Sequence, residues 1–272
     1  MTNTLLKTLA VVLTVCALVG SSAFGQEAEQ DDEHALAMKL QNPVASLISV
    51  PFQSNFEWGG GRSSDGFRYL LNFQPVIPIS LTKDWNLISR TIVPVIHQDD
   101  VLPDETQNGM GDILQSLFFS PVEPIGDWIV GAGPAFLLPT ATTRFLGAEK
   151  FSLGPTAVVL QQRSGWTYGI LANHLVSVAG TAHTSNVNST FLQPFLSYTT
   201  ATHTTFILNT ESTYDWQDSK WTVPLNAMVA QLVKLGGQPM QFQIGPKLYV
   251  EGPTGAPDWG IRFTYTLLFP TT

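Results

Sequence analysis

The chain has 272 residues, with 13 basic and 21 acidic side chains and a formal net charge of −8. This acidic balance argues against nucleic acid as a partner. Only 12% of the residues are charged, against a usual share of about 25%, whereas 44% are hydrophobic and 11% aromatic. A soluble domain with this few charges would be hard to keep in solution. The composition therefore favours a membrane protein.

The first predicted element is an export signal over residues 1–25. Lys7 supplies a positive charge, residues 9–20 form an apolar core, and residues 23–25 form a small-x-small cleavage site. Cys16, the single cysteine of the sequence, lies in that core. Cleavage would leave a chain with a net charge of −9 and no thiol, which excludes disulfides and cysteine-based chemistry in the exported protein.

Residues 26–44 are predicted to form a periplasmic N-terminal segment. Acidic residues come first, a helix-compatible apolar run follows, and Asn42-Pro43 is expected to stop the helix. A sharper alternative is that this segment plugs the mouth of a barrel.

Residues 45–272 show the alternating pattern of β-strands. In the last segment Trp259, Ile261 and Phe263 fall on one face, and Arg262 and Thr264 fall on the other. Twelve residues of this pattern suit a strand that crosses a bilayer at a tilt within a closed barrel. Twelve such segments are predicted, at 46–58, 66–81, 84–97, 109–120, 126–139, 149–162, 165–178, 189–200, 202–213, 219–233, 238–251 and 258–269.

The connections between these segments alternate between long polar loops and tight turns. Tryptophans cluster near both kinds of connection, for example Trp85 and Trp166 after short turns and Trp58 and Trp259 beside long loops. Two belts of indoles are typical of the two interfaces of a membrane. The fold class is therefore all-β, a transmembrane antiparallel up-and-down β-barrel of about 12 strands.

Proline recurs inside the predicted strands, often after glycine, as in Gly133-Pro134, Gly154-Pro155 and Gly245-Pro246. Proline cannot donate to a strand ladder, and a closed barrel has no edge on which to place it. Bulges or bends are therefore expected at these positions.

The cost of burying charge in lipid predicts which side chains face the lumen. A cation facing lipid near the midplane costs about 2–4 kcal/mol, so charges within strands should point inward. The resulting lumen candidates are Glu57, Arg68, Arg90, Glu211, Lys247 and Arg262. If the last strand pairs with the first, Lys247, Arg262, Glu57 and Arg68 lie on consecutive strands. They then form either a selective constriction or a salt-bridge network that holds the seam.

Catalytic signals are weak. A barrel hydrolase acting on lipid would need a histidine beside a serine, and His174 is the most exposed candidate, but no spacing in the sequence is diagnostic. No cofactor, metal site or phosphate loop is predicted.

Three stretches resemble a known family. They are Lys39-Leu40-Gln41-Asn42-Pro43-Val44-Ala45-Ser46-Leu47-Ile48-Ser49-Val50-Pro51-Phe52-Gln53, Gly109-Met110-Gly111-Asp112-Ile113 and Phe118-Phe119-Ser120-Pro121. The family comprises outer-membrane barrel proteins labelled "transporter", sometimes mislabelled neuromedin U, and is related to the group named for the MetA pathway of phenol degradation. The resemblance implies transport, and its association with the breakdown of aromatic compounds hints at a hydrophobic solute. It supplies no binding residues.

The sequence thus predicts a channel in a Gram-negative outer membrane that contacts lipid and passes small solutes by passive diffusion. The alternatives are a lipid-acting barrel enzyme and a structural barrel with a blocked lumen. The sequence does not indicate an oligomeric state.

Overall fold

The computed structural model describes residues 26–102 and 105–269, so the predicted export signal lies outside the described residues. One helix, α1 (Gln26–Lys39), precedes the strands. The strands are β1 (Ile48–Gly60), β2 (Gly66–Phe73), β3 (Val76–Ser80), β4 (Trp85–Leu102), β5 (Glu105–Met110), β6 (Ile113–Pro121), β7 (Ile129–Leu138), β8 (Lys150–Arg163), β9 (Trp166–Gly180), β10 (Asn188–Thr199), β11 (Thr204–Thr210), β12 (Ser212–Asp215), β13 (Lys220–Leu235), β14 (Gln238–Glu251) and β15 (Trp259–Phe269).

The strands close into a single antiparallel barrel of twelve. The pairs β2–β3, β5–β6 and β11–β12 are each one strand of the wall with a short interruption. Each strand of the wall pairs with the next one along the chain, and β15 pairs with β1 to close the ring. The predicted fold class, an antiparallel barrel of twelve strands, is confirmed.

The barrel has two distinct ends. The end we call the turn end carries the short connections 81–84, 122–128, 164–165, 200–203 and 236–237, together with the residues that precede β1. The end we call the loop end carries 61–65, 139–149, 181–187, 216–219 and 252–258, and the connection between β4 and β5.

The β4–β5 connection differs from the sequence prediction. A long polar loop was expected over 98–108, but β4 runs to Leu102 and β5 starts at Glu105. Polar side chains pair across this extended hairpin: Gln98 donates to Gln107 at 2.8 Å, and Thr106 donates to Asp99. Cross-strand pairs of this kind stabilise a hairpin without an apolar face, so a polar sequence does not imply an irregular loop.

The prolines were expected to cause bulges or bends, and the expectation of a bulge is wrong for the Gly-Pro pairs. Residues on either side of each pair keep the same register with the neighbouring strand; Ser116 pairs with Ala135 and Phe119 with Ala132, for example. At each pair the pairing with this neighbouring strand is interrupted without a shift of register. A Cβ on the glycine would overlap a carbonyl oxygen of that strand. These contacts are Gly133 with Leu117, Gly154 with His174, and Gly245 with Ala227. Glycine therefore accommodates a close approach of two strands where proline removes a donor.

Shifts of register lie nearer the loop end. They occur between Trp58 and Gly60, Asp99 and Leu102, Phe151 and Ser152, and Val223 and Pro224. Only the last of these involves a proline. Asp112, between β5 and β6, fixes a neighbouring loop, because its carboxylate accepts from the backbone N–H of Ala141 at 3.0 Å and of Ala148 at 2.6 Å.

The outer face of the wall is apolar, whereas its inner face carries polar side chains together with apolar clusters near the turn end. Along β15 the exposed Ile261 and Phe263 alternate with the buried Arg262 and Thr264. Exposed indoles occur at both ends, including Trp85 and Trp166 at the turn end and Trp259 at the loop end. This polarity is the inverse of a soluble barrel's, and it is the pattern of a barrel surrounded by lipid.

The N-terminal segment enters the barrel from the turn end. Val44 packs among lumen-facing side chains of one side of the wall, including Ile88 and Phe118, while Leu47 packs against Leu232 and Leu268 of the other side. Gln162 donates to the carbonyl of Met38 at 2.7 Å. The segment therefore spans the lumen near the turn end. No helix in the described part of the chain has the length and apolarity needed to cross a membrane.

Candidate functional site: the charged lumen and its cavity

Glu57 organises the first group of predicted lumen charges. Its carboxylate is 1% exposed and accepts from Lys247 Nζ at 2.7 Å, from Tyr249 Oη at 2.7 Å and from Arg68 Nε at 2.7 Å. Arg68 Nη2 lies 2.6 Å from the same carboxylate. The register explains this convergence, because Glu57 lies opposite Arg68 on β2 and opposite Gly260 on β15, and Gly260 in turn lies opposite Lys247. Gly260 has no side chain to separate Glu57 from Lys247.

Arg262 organises the second group. Its Nη1 and Nη2 each donate to one oxygen of Glu211 at 2.7 Å, and its Nε donates to Asn55 Oδ1 at 2.7 Å. A bidentate pair of this geometry fixes the position of both side chains. The sequence placed Arg262 beside Glu57 on neighbouring strands. The structure instead pairs Arg262 with Glu211 from the interruption between β11 and β12, two strands (β13 and β14) further around the ring.

Arg90 stands apart from both groups. Within the described residues, the one hydrogen bond that the Arg90 side chain makes goes from its Nη2 to Gln74 Oε1 at 3.1 Å. The structure thus brings five of the six predicted residues into two ion-paired groups and leaves the sixth without a carboxylate in contact. The six together comprise four cations and two carboxylates, a net charge of +2 in a protein whose overall charge is −8.

A cavity of about 210 Å³ lies inside the lumen beneath these groups. Arg90, Glu211 and Arg262 border it, and Lys39 with residues 40–43 of the N-terminal segment borders it from the turn end. Amide and hydroxyl side chains such as Gln53, Gln241 and Thr264 make up much of its wall. The arrangement can hold a small molecule between the ion-paired groups and the N-terminal segment.

Sequence reasoning placed uncharged residues such as Gln53, Gln241 and Thr264 in the lumen, but it missed the part of the cavity wall that β10, β11 and β13 form. Gln193, Phe195 and Ser197 of β10 line the cavity, as do Ile207 of β11 and Met228 of β13. The face of β10 could have been read from the period of two in its polar residues. None of these residues is charged, so the rule that places charged side chains in the lumen could not identify them.

His174, the candidate for a lipid-acting enzyme, lies on the outer face of the wall. Its neighbours Asn173 and Leu175 are buried, and Nδ1 lies 2.8 Å from Thr190 Oγ1. Thr190 also accepts from Trp216 Nε1 at 2.9 Å. No carboxylate contacts His174 in the described part of the chain, so these contacts do not assemble a catalytic triad. The described residues also contain no cluster of side chains suited to a metal ion.

Comparison with known proteins gives a likeness in fold. No family model matches the chain, and no curated protein matches it. The crystal structure of an outer membrane channel from Pseudomonas putida F1 is similar, with a TM-score of 0.64 and 14% sequence identity. The match covers 82% of this chain and 96% of that one. At this identity the likeness concerns the barrel fold, which the two proteins share over nearly the whole length of the P. putida channel.

Proposed function

We propose that this protein is a channel of a Gram-negative outer membrane that passes small solutes by passive diffusion. The observation that carries the proposal is a lumen that holds a cavity of about 210 Å³ lined by polar and charged side chains, inside a wall whose outer face is apolar. The similar structure from P. putida is itself an outer membrane channel. Export through residues 1–25 would deliver the chain to that membrane.

The orientation follows from the connections. Short turns and both termini of outer-membrane barrels lie on the periplasmic side, so we place the turn end in the periplasm and the loop end outside. Lipid then contacts the exposed apolar residues of the wall. The charged groups around Glu57 and Arg262 lie towards the outside, and a solute would meet them before it reaches the cavity.

The solute is small because the passage is narrow. A twelve-stranded barrel lies between eight-stranded barrels, which their side chains fill, and the wide porins of 16 or more strands. The cavity wall is mixed in polarity, since Phe195, Ile207 and Met228 lie among the amides. We infer that solutes with an apolar or aromatic body are accepted, in keeping with the transporter family that the sequence resembles. We assign no enzymatic activity.

Single-channel conductance of the refolded mature protein in a planar bilayer tests this function. Arg262→Glu would change the charge of the six lumen residues from +2 to zero, so the channel should shift towards cation selectivity. Arg163→Glu makes the same change of charge at an exposed position beside a short turn and should leave selectivity unaltered. If both variants conduct steadily and with the same ion selectivity, the charged groups do not lie in the path of the ions.

A second candidate function is a barrel whose lumen stays closed. It is favoured by the packing of Val44 and Leu47 against opposite sides of the wall. Deletion of residues 26–47, which removes both of these side chains, should raise conductance strongly if this segment blocks the lumen. A folded, heat-modifiable deletion variant that conducts no better than the full chain would show that the wall itself limits passage.

A further inference from the structure

The cavity contains more hydrogen-bonding capacity than the protein uses. Among the buried side-chain atoms without a hydrogen-bond partner in the described residues are Ser197 Oγ, Gln241 Nε2 and Thr264 Oγ1, and all three side chains line the cavity. Their residues are 3%, 4% and 6% exposed. Buried polar groups are nearly always paired with protein, water or a ligand. A water, or a solute that enters the cavity, would supply the partner that these three groups lack in the protein.

The charges around the cavity determine the sign of the charge on such a solute. Glu211 is the single carboxylate among the described residues that line it, and both of its oxygens are held by Arg262. Lys39 and Arg90 also line the cavity, and neither contacts a carboxylate in the described part of the chain. The lining therefore has a net charge of +2, and Arg90 has guanidinium N–H groups left for an acceptor.

The volume of the cavity and its apolar lining indicate the size and the body of the bound molecule. Pockets for drug-sized ligands measure about 300–1,000 Å³, so 210 Å³ suits a smaller molecule with a single ring or a short chain. Phe195, Ile207 and Met228 provide an apolar surface for such a body. A planar carboxylate matches the geometry of a guanidinium better than a spherical anion does.

We propose that the cavity is a binding site for a small organic carboxylate with an apolar body, whose carboxylate accepts hydrogen bonds from Arg90 and from the unpaired groups of Thr264, Gln241 and Ser197. This proposal depends on the proposed channel function only because the ligand must reach the lumen. Binding itself does not require conduction.

Calorimetric titration of the refolded mature protein in detergent tests the site, with benzoate as the probe and benzyl alcohol as an uncharged probe of similar size. Benzoate should bind at least about tenfold more tightly than benzyl alcohol, and Arg90→Gln should weaken benzoate binding by about tenfold or more. Arg163→Gln removes the same charge outside the cavity and should leave the affinity for benzoate unchanged. Equal affinities for the two probes, or for benzoate in wild type and Arg90→Gln, would overturn the proposal.

Thr264→Val provides a test that does not depend on the folding of an arginine variant. Because Thr264 Oγ1 has no partner in the protein, removing it should not lower the stability of the barrel, but it should weaken benzoate binding severalfold. Unchanged binding with unchanged stability would count against the site. Conductance separates the two proposals: a protein that binds benzoate without conducting has the site and is no channel, and one that conducts without binding benzoate is a channel without the site.

Discussion

The bidentate pair between Arg262 and Glu211 joins β15 to the interruption between β11 and β12, two strands further around the ring, so it should stabilise the barrel as a unit. We expect Arg262→Gln to leave the Glu211 carboxylate without its two donors and Asn55 Oδ1 without its donor. Breaking a buried ion pair by removing one partner costs about 3–5 kcal/mol. The Glu211 side chain is 21% exposed and borders the cavity, so a value near 3 kcal/mol is expected.

Glu211→Gln should cost a similar amount, because it leaves the guanidinium of Arg262, whose side chain is 3% exposed, without its counter-charge. In the double variant no buried charge of the pair is left uncompensated, and two amides can hydrogen-bond to each other. We therefore expect the double variant to lose about 4 kcal/mol rather than the sum of about 6, a coupling energy of about 2 kcal/mol.

Urea unfolding of the protein in lipid vesicles, followed by the gel shift of folded barrels, measures each free energy of unfolding. Arg163→Gln combined with Glu211→Gln is the control cycle, and its costs should add because Arg163 lies at the turn end of β8, whereas Glu211 lies within the wall between β11 and β12. Additivity of the Arg262 and Glu211 variants within about 0.5 kcal/mol would refute the reasoning, since it would mean that the pair is no more coupled than two distant sites.

Three further predictions test other parts of the structure. Glu57→Gln should destabilise the barrel by about 3–5 kcal/mol and raise anion selectivity in a salt gradient, because the lumen residues would then carry +3; unchanged selectivity would place Glu57 outside the ion path. Gly245→Ala should lower the free energy of unfolding in urea by about 1–3 kcal/mol, because its Cβ would overlap the Ala227 carbonyl. In the control Gly60→Ala the new Cβ meets only ordinary contacts, so this variant should be neutral. Equal costs would contradict the close approach of Gly245 to Ala227. Asp112→Ala should leave two loop N–H groups without their acceptor. The exposed Arg144 in the same loop should then be cleaved faster by trypsin. An unchanged cleavage rate would show that other contacts fix the loop.

Much of the barrel could be predicted because a membrane imposes a strong local rule. An outward position must be apolar, and an inward position within the wall can be polar, so the period of two in β15 already separates Ile261 from Arg262. The same rule assigned Glu57, Lys247 and Glu211 to the lumen, where the structure has them. Its failure over 98–108 is equally physical, because beyond the lipid a strand needs no apolar face and side-chain hydrogen bonds suffice.

The prediction of bulges at the Gly-Pro pairs failed for a different reason. Proline removes a hydrogen-bond donor, but whether the ladder bulges or merely opens depends on what the neighbouring strand does. At Gly133-Pro134 the preceding glycine admits the Leu117 carbonyl, and the register passes through unchanged. That outcome involves two strands and cannot be read from either one.

The sequence by itself determined an up-and-down barrel of about twelve strands, the positions of most long and short connections and the inward face of the six predicted lumen charges. These follow from local alternation and the cost of charge in lipid. Only the tertiary structure decided which charges meet, that Arg90 has no carboxylate partner among the described residues, and that the N-terminal segment lies in the lumen. Those features depend on contacts inside the barrel between residues far apart in the chain, such as Arg262 with Glu211. Their distances are set by the closure of the ring and the register of all twelve strands.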